Sequence, residues 1–342
     1  MLRIAFAASL SLFAASAAMA APPPDTNCTS ASHAPARSTY LAPMVGQYGT
    51  ADNILDISEH CGKLFVNGHG FAMVELKPEN WGRMFWDAGY QRLMFNLLVT
   101  PTTVQIGKDV LARHDFGAEV EARIHAAVHA DPDKVRKAAM AATAPVDPHP
   151  KRASDLAPLK SLDPSIKVDT IYATTRNFMG IPIYEKGGAY MQRDAAQAVA
   201  RASQELHKYG YGLWVTDAYR PWYATKMFWD ATPPEDHNFV ADPAHGSRHN
   251  RGCAVDLTLY DLKTGKPVEM TGRIDEMSAR SIADYDGGTT RQRWLRALLK
   301  REMEAQGFTV YTDEWWHFDY KDWADYAVGT ATYTDLDAGK AH

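Results

Sequence analysis

Between Tyr40 and Ile124 apolar and polar residues alternate in short runs: "NILDISEH", "KLFVNG", "FAMVEL", "QRLMFNLL", "TTVQIG" and "VLARHDF". A period of two sends neighbouring side chains to opposite faces of a strand, and the Gly, Asn, Pro and Asp between the runs supply turns. The pattern predicts a small antiparallel all-β domain over 38–125. From 126 to 162 the chain turns rich in Ala, Pro, His and Lys and reads mostly as a linker, helical in part. Beyond it the period changes. "DTIYATTRNF" suggests a strand and a turn, "DAAQAVARASQELHKY" has helical spacing and stops at Gly210, and "YGLWVTDAYRP" is a strand ended by Pro221. "PWYATKMFWDA" opens another helix, and "VDLTLYDLKTGKPVEM" reads as a hairpin turning over 263–266. "TRQRWLRALLKREMEAQG" is an amphipathic helix ended by Gly307, and "FTVYTDEWWHFDY" is a closing strand. Helices mixed with antiparallel hairpins make the second domain, 163–335, α+β.

The first residues follow neither period. "MLRIAFAASLSLFAASAAMA" has one early charge, an apolar run and Ala18-Met19-Ala20, which marks residues 1–20 as a secretory signal with an A-x-A cleavage site. Residues 21–37 are rich in Pro, Ala and Ser and read as a flexible leader. No later run reaches 18 uninterrupted apolar residues, so no transmembrane segment is expected in the mature chain. A periplasmic location follows, with full secretion as the alternative. Export permits a disulfide, and Cys28 with Cys61 is the natural pair among three cysteines, two free thiols being the other reading. Cys253, between Gly252 and Ala254, reads as a small buried residue.

With 342 residues the chain has room for two domains with cores of their own. Its 46% hydrophobic and 23% charged content is globular, and a net charge of −5 argues against a nucleic-acid partner. Chemistry concentrates in the second domain. "GSRHNRGCAVDLTLY" carries His249 and, seven residues on, Asp256; "DEWWHF" adds Glu314 and His317. Two His and one Asp suit a catalytic zinc ion, which takes three protein ligands and leaves a position for water, although other divalent ions also accept this set. Glu314, close to His317 in the chain, is placed to act as general base on that water. Arg220 in "TDAYRP" would stabilise the oxyanion left by attack on an amide. Taken singly, His249 could be an ordinary histidine, Asp256 the polar start of a strand, and Arg220 half of a surface ion pair. Their joint occurrence favours the catalytic reading.

Together "GSRHNRGCAVDLTLYDLKTGKPVEM", "DEWWHF", "DAYRP" and "YATTRNF" resemble the D-alanyl-D-alanine dipeptidases of the vancomycin-resistance type, which are zinc peptidases. The resemblance runs from about Ile166 to Ala327. It implies one Zn2+ per catalytic domain on His249, Asp256 and His317, Glu314 as base, and Arg220 as the residue polarising the scissile carbonyl. It further implies that Ser247 contacts the substrate carboxylate, Asp275 holds the substrate ammonium, and Tyr172 lines the pocket. The expected substrate is a small dipeptide containing D-amino acids. A DD-carboxypeptidase or endopeptidase acting on peptidoglycan stem peptides is the alternative, and an envelope binding protein on a degenerate peptidase scaffold is a third.

Overall fold

The computed structural model describes Cys28 and residues 33–79, 85–96, 99–147 and 149–339. The signal sequence and much of the leader lie outside the described residues. Among those described, the first domain is an eight-stranded meander: β1 (Gly46–Thr50), β2 (Asn53–His60), β3 (Lys63–Gly68), β4 (Phe71–Pro78), β5 (Phe85–Asp87), β6 (Arg92–Phe95), β7 (Thr103–Ile106) and β8 (Asp109–Ala112). Each strand pairs antiparallel with the next. The alternation seen in the sequence becomes the inner face. Leu55 and Ile57, Leu64 and Val66, Leu93 and Phe95, and Val104 and Ile106 all bury into one core. The β2–β3 turn is Cys61-Gly62 and the β3–β4 turn region holds His69 and Gly70, all four with positive φ, as tight hairpin connections of the primed type require. A bridge between Tyr48 of β1 and Arg113, the residue after β8, together with the His114 N–H on the Gln47 carbonyl, closes the meander into a small barrel. Cys28 and Cys61 form a disulfide.

Residues 126–162, expected to be mostly linker, are largely structured. Helix α1 (Phe116–His129) begins inside the expected β-domain, and α2 (Pro132–Ala141) follows at once. Asp131 caps α2 by accepting from the Lys134 N–H at 3.0 Å. Their apolar positions are too sparse to declare a core alone. They find it in the second domain, where Ile124, Val128 and Ala139 pack with Tyr223, Met227 and Phe228. Burial against a partner, rather than propensity, makes these segments helical.

The second domain comprises β9 (Leu156–Pro158), α3 (Leu159–Leu162), β10 (Lys167–Val168), β11 (Tyr190–Gln192), α4 (Arg193–His207), β12 (Tyr211–Asp217), α5 (Trp222–Ala231), β13 (Ala254–Asp261), α6 (Thr290–Glu304), β14 (Phe308–Tyr311), β15 (Glu314–Tyr320) and α7 (Tyr333–Asp337). Its main sheet has the order β10-β12-β13-β15-β14, with β10 parallel to β12 and the remaining pairs antiparallel. Helices α4 and α6 bury Val199, Leu206, Leu295 and Leu299 with Leu213, Val215, Leu257 and Leu259 of the sheet. The α+β class therefore holds, with three local corrections. The closing strand is the hairpin β14–β15, because Thr312 and Asp313 form a turn. The return arm after Gly265 forms no strand and is held by the Tyr260–Pro267 bridge, the Asp261 N–H on the Lys266 carbonyl and the Val268 N–H on the Leu259 carbonyl, since Pro267 has no N–H to extend a ladder. In "DTIYATTRNF", Ile171–Ala173 is one 3-10 turn rather than a strand.

Candidate active site

Strand register assembles the site. Asp256 on β13 is opposite His317 on β15 and opposite Asp217 on β12, so three side chains from three adjacent strands form one row. On β12, Leu213 and Val215 belong to the helix-covered core, and simple alternation would send Asp217 there too. A register shift between Val215 and Asp217 prevents this; a bulge inserts one residue and re-aims the next side chain. His249 arrives from the loop before β13, whose sharp turn uses Gly252 at φ +69°. The Arg220 N–H donates to the His249 carbonyl at 3.1 Å. Asn250 donates to the Arg220 carbonyl at 2.8 Å.

One nitrogen of each histidine is committed to a partner outside the cluster. His249 Nδ1 lies 2.7 Å from the Ala218 carbonyl, which accepts its proton and leaves Nε2 facing inward. His317 Nε2 lies 2.9 Å from Asp319, which leaves Nδ1 inward. These inward nitrogens are 3.0 Å apart. Asp256 reaches His249 Nε2 at 3.3 Å and His317 Nδ1 at 3.1 Å. Among the described residues this trio could hold a metal ion, its ligand atoms all lying within 4.8 Å of one another. Burial opposes charge on both members of the Asp256–His317 pair, yet the pair overrides it. His249 and His317 hold Asp256 below the usual carboxylate range. Asp256 and Asp319 draw His317 up to about 10.

Around it lies a cavity of about 640 Å³, lined by all eight residues singled out in the sequence: Tyr172, Arg220, Ser247, His249, Asp256, Asp275, Glu314 and His317. Glu314 comes within 3.6 Å of His317 Nδ1. Burial, opposed by His317 and reinforced by Asp256, pushes its carboxyl up to about 7. Arg220 is not a surface ion pair. It is buried, donates from Nε to Asp217 at 2.9 Å, approaches Asp256 at 3.5 Å, and rests on the rings of Phe228 and Tyr172. Asp275 accepts from the Tyr172 hydroxyl at 2.8 Å, and burial, together with repulsion from Asp256, pushes it well above the usual carboxylate range. Its φ of +60° is rare for a residue with a side chain. The Ser247 Oγ accepts from the His249 N–H at 3.2 Å, leaving its own proton free to donate.

The family described as D-ala-D-ala dipeptidase matches residues 152–335. The chain belongs to this family. It is 35% identical over 175 residues to the D-alanyl-D-alanine dipeptidase of Escherichia coli (strain K12), which covers 51% of this chain and 89% of that protein. The D-alanyl-D-alanine dipeptidase of Enterococcus faecium is 34% identical over 177 residues, with 46% and 87% covered. That of Streptomyces coelicolor is 32% identical over 189 residues, with 49% and 92% covered. The chain is thus a metallopeptidase of the dipeptidase family, and its barrel and first two helices precede the matched region.

The dipeptidase domain also uses residues that sequence reasoning passed over. Asp217 receives Arg220 and, at 2.9 Å, the Tyr184 hydroxyl; Asp319 orients His317. Both stand inside quoted stretches, "TDAYRP" and "HFDY", yet an Asp near an Arg or a His is too common to single out. Register across the sheet is what gives them partners. Trp315 and Trp316 both bury, and Trp316 also lines the cavity. Cys253 is buried and free, its thiol pushed up to about 12 by burial, so the reading as a small core residue stands.

Proposed function

We propose that this chain is an exported zinc dipeptidase that hydrolyses D-alanyl-D-alanine or a close D-containing dipeptide. The observation that carries the reading is the meeting, in one cavity, of a His-Asp-His cluster, the half-buried Glu314 carboxyl and the buried Arg220 guanidinium. The donor set fits zinc. Tetrahedral bonds of about 2.0–2.1 Å separate neighbouring ligand atoms by about 3.3 Å; the two inward nitrogens are 3.0 Å apart, and the Asp256 carboxylate faces them with Oδ1 at 3.1 Å from His317 and Oδ2 at 3.3 Å from His249. Zinc held there supplies Lewis acidity, which makes a water nucleophilic near neutral pH.

The chain's own residues do the rest. Glu314 takes a proton from the attacking water and returns it to the leaving amine. Arg220, fixed on Asp217, meets the charge developing on the carbonyl oxygen. Asp275, held by Tyr172, takes the substrate ammonium, and Ser247 donates to its carboxylate. A site that pairs both charged ends discriminates against substrates that leave either group unmatched. Export is supported by residues 1–20 and by the Cys28–Cys61 disulfide, since such bonds persist in oxidising compartments. No described helix is long and apolar enough to cross a membrane.

Amine release from zinc-loaded protein, with D-Ala-D-Ala, L-Ala-D-Ala, L-Ala-L-Ala and a stem pentapeptide ending in D-Ala-D-Ala offered side by side, tests the reading. Fast cleavage of the free D,D-dipeptide and an intact pentapeptide are expected. Cleavage of the pentapeptide alone would replace this proposal with a carboxypeptidase acting on peptidoglycan stems.

A further inference from the structure

Asp275 sits in the nineteen-residue connection 271–289 before α6, whose one helical turn is Ala279–Ser281. A loop of that length has little regular structure of its own to hold a carboxylate at φ +60°, a strained conformation that persists only where the surroundings impose it. Part of the support is internal. Glu276 accepts from Arg280 Nε at 2.6 Å and from the Arg273 N–H at 3.0 Å. The remaining anchors reach outside the loop, and several of them lie before residue 152, where the family match begins.

At the start of the loop, Arg273 pairs with Asp115 at 3.4 Å and with Glu121 of α1 at 3.1 Å. Gly117 packs against Glu276 so closely that a Cβ there would lie 2.8 Å from the Glu276 Cγ. In the middle, the Tyr285 hydroxyl donates to Asp56 of β2. Gln47 of β1 donates to both Asp56 and Tyr285, at 3.3 and 3.2 Å. Arg296 holds the Tyr285 carbonyl at 2.7 Å from the other side. At the end, the Glu59 N–H donates to the Gly288 carbonyl at 2.9 Å, and the Glu59 carboxylate accepts from the Thr290 N–H at 2.9 Å, at the start of α6. The barrel and α1 therefore grip this loop at three points on both sides of Asp275.

We propose that the barrel is a positioning domain for the dipeptidase: Asp56 of the barrel, through Tyr285, fixes the loop that presents Asp275 and so sets the enzyme's preference for a free substrate ammonium. This deepens the proposed function and rests on Asp275 receiving the ammonium. Asp56 and Tyr285 are positioning residues, since neither lines the substrate cavity. The loop in this chain is held by a separate domain rather than by the catalytic fold alone.

The test compares wild type with Tyr285→Phe, Asp56→Asn and Asp275→Asn, all in the full mature chain. Readouts are kcat and KM for D-Ala-D-Ala, bound zinc, and Ki for N-acetyl-D-Ala-D-Ala as competitor, which reports binding whether or not that compound is cleaved. Tyr285→Phe keeps the ring and removes only the hydroxyl; Asp56→Asn is the independent second variant. Both are expected to raise KM for the free dipeptide about tenfold, while kcat, zinc content and Ki for the acetylated competitor stay within twofold. An unchanged KM in both variants, or KM and Ki rising together, overturns the proposal. Asp275→Asn separates ammonium binding from loop positioning. A raised KM in Asp275→Asn with none in the other two sinks the positioning role alone. No effect in Asp275→Asn sinks the ammonium reading on which it rests.

Discussion

Glu314 and Asp275 are both half-buried carboxylates lining one cavity, and their removal from water pushes both above the usual range. Their neighbours assign them different work. Glu314 stands 3.6 Å from the inward nitrogen of His317, close to any water activated in the cluster, whereas Asp275 is tied to the Tyr172 hydroxyl. Glu314→Gln preserves the shape and hydrogen-bonding reach of the side chain but cannot accept a proton. Turnover is expected to fall at least about a hundredfold, within the range of general-base contributions, with zinc content by elemental analysis unchanged. Retained turnover would move the base elsewhere. Arg220 illustrates a different constraint. Its partner Asp217 is completely buried, so the guanidinium serves the fold whatever part it takes in the proposed chemistry, because a buried charge left alone is strongly destabilising.

At the scale of elements, the sheet does two separable jobs. Its β12–β13–β15 row brings Asp217, Asp256 and His317 together, and the bulge after Val215 gives Asp217 its aim. Farther along the same two strands the sheet is purely structural. Gly212 on β12 lies under the ring of Tyr260 on β13, where a Cβ would stand 2.4 Å from the nearest ring carbon. Tyr260 cannot readily swing away, because it is buried and donates to the Ser165 carbonyl at 2.9 Å. Gly212→Ala is therefore expected to cost about 1–3 kcal/mol of stability through overpacking, read by denaturant unfolding, with kcat/KM of the folded fraction unchanged. A loss of kcat/KM at full stability would mean that this end of the sheet communicates with the site.

For the whole molecule, the decisive feature is that two domains share one loop. The barrel buries its own core, yet its β2 end and the segment after β8 contact the connection that carries Asp275. The Cys28–Cys61 disulfide ties the leader to the same β2–β3 turn, across a sequence separation of 33. A crosslink of that span stabilises by about 4 kcal/mol in the chain-entropy account. The Cys28→Ser, Cys61→Ser double variant is expected to unfold at correspondingly lower denaturant, and the parent treated with reductant to match it. Equal midpoints in all three would show that the leader lies outside the cooperative unit.

The sequence by itself determined a good deal. The period-two runs located β2, β3, β4, β6, β7 and β8, since a half-buried strand must alternate, but not β1 or the three-residue β5. Helical spacing located α4, α5 and α6. The donor types at His249, Asp256, Glu314 and His317 pointed to a metal-assisted hydrolase before any geometry was known, because short spacing and residue chemistry are local properties. Tertiary structure alone decided the rest. Helices α1 and α2 exist because the apolar surface of α5 is there to receive them, and no local signal encodes a partner. Asp217 and Asp319 gained roles through cross-strand register, and Asp275 through a loop gripped from another domain. Each of these depends on contacts between residues far apart in the chain, which only folding brings together.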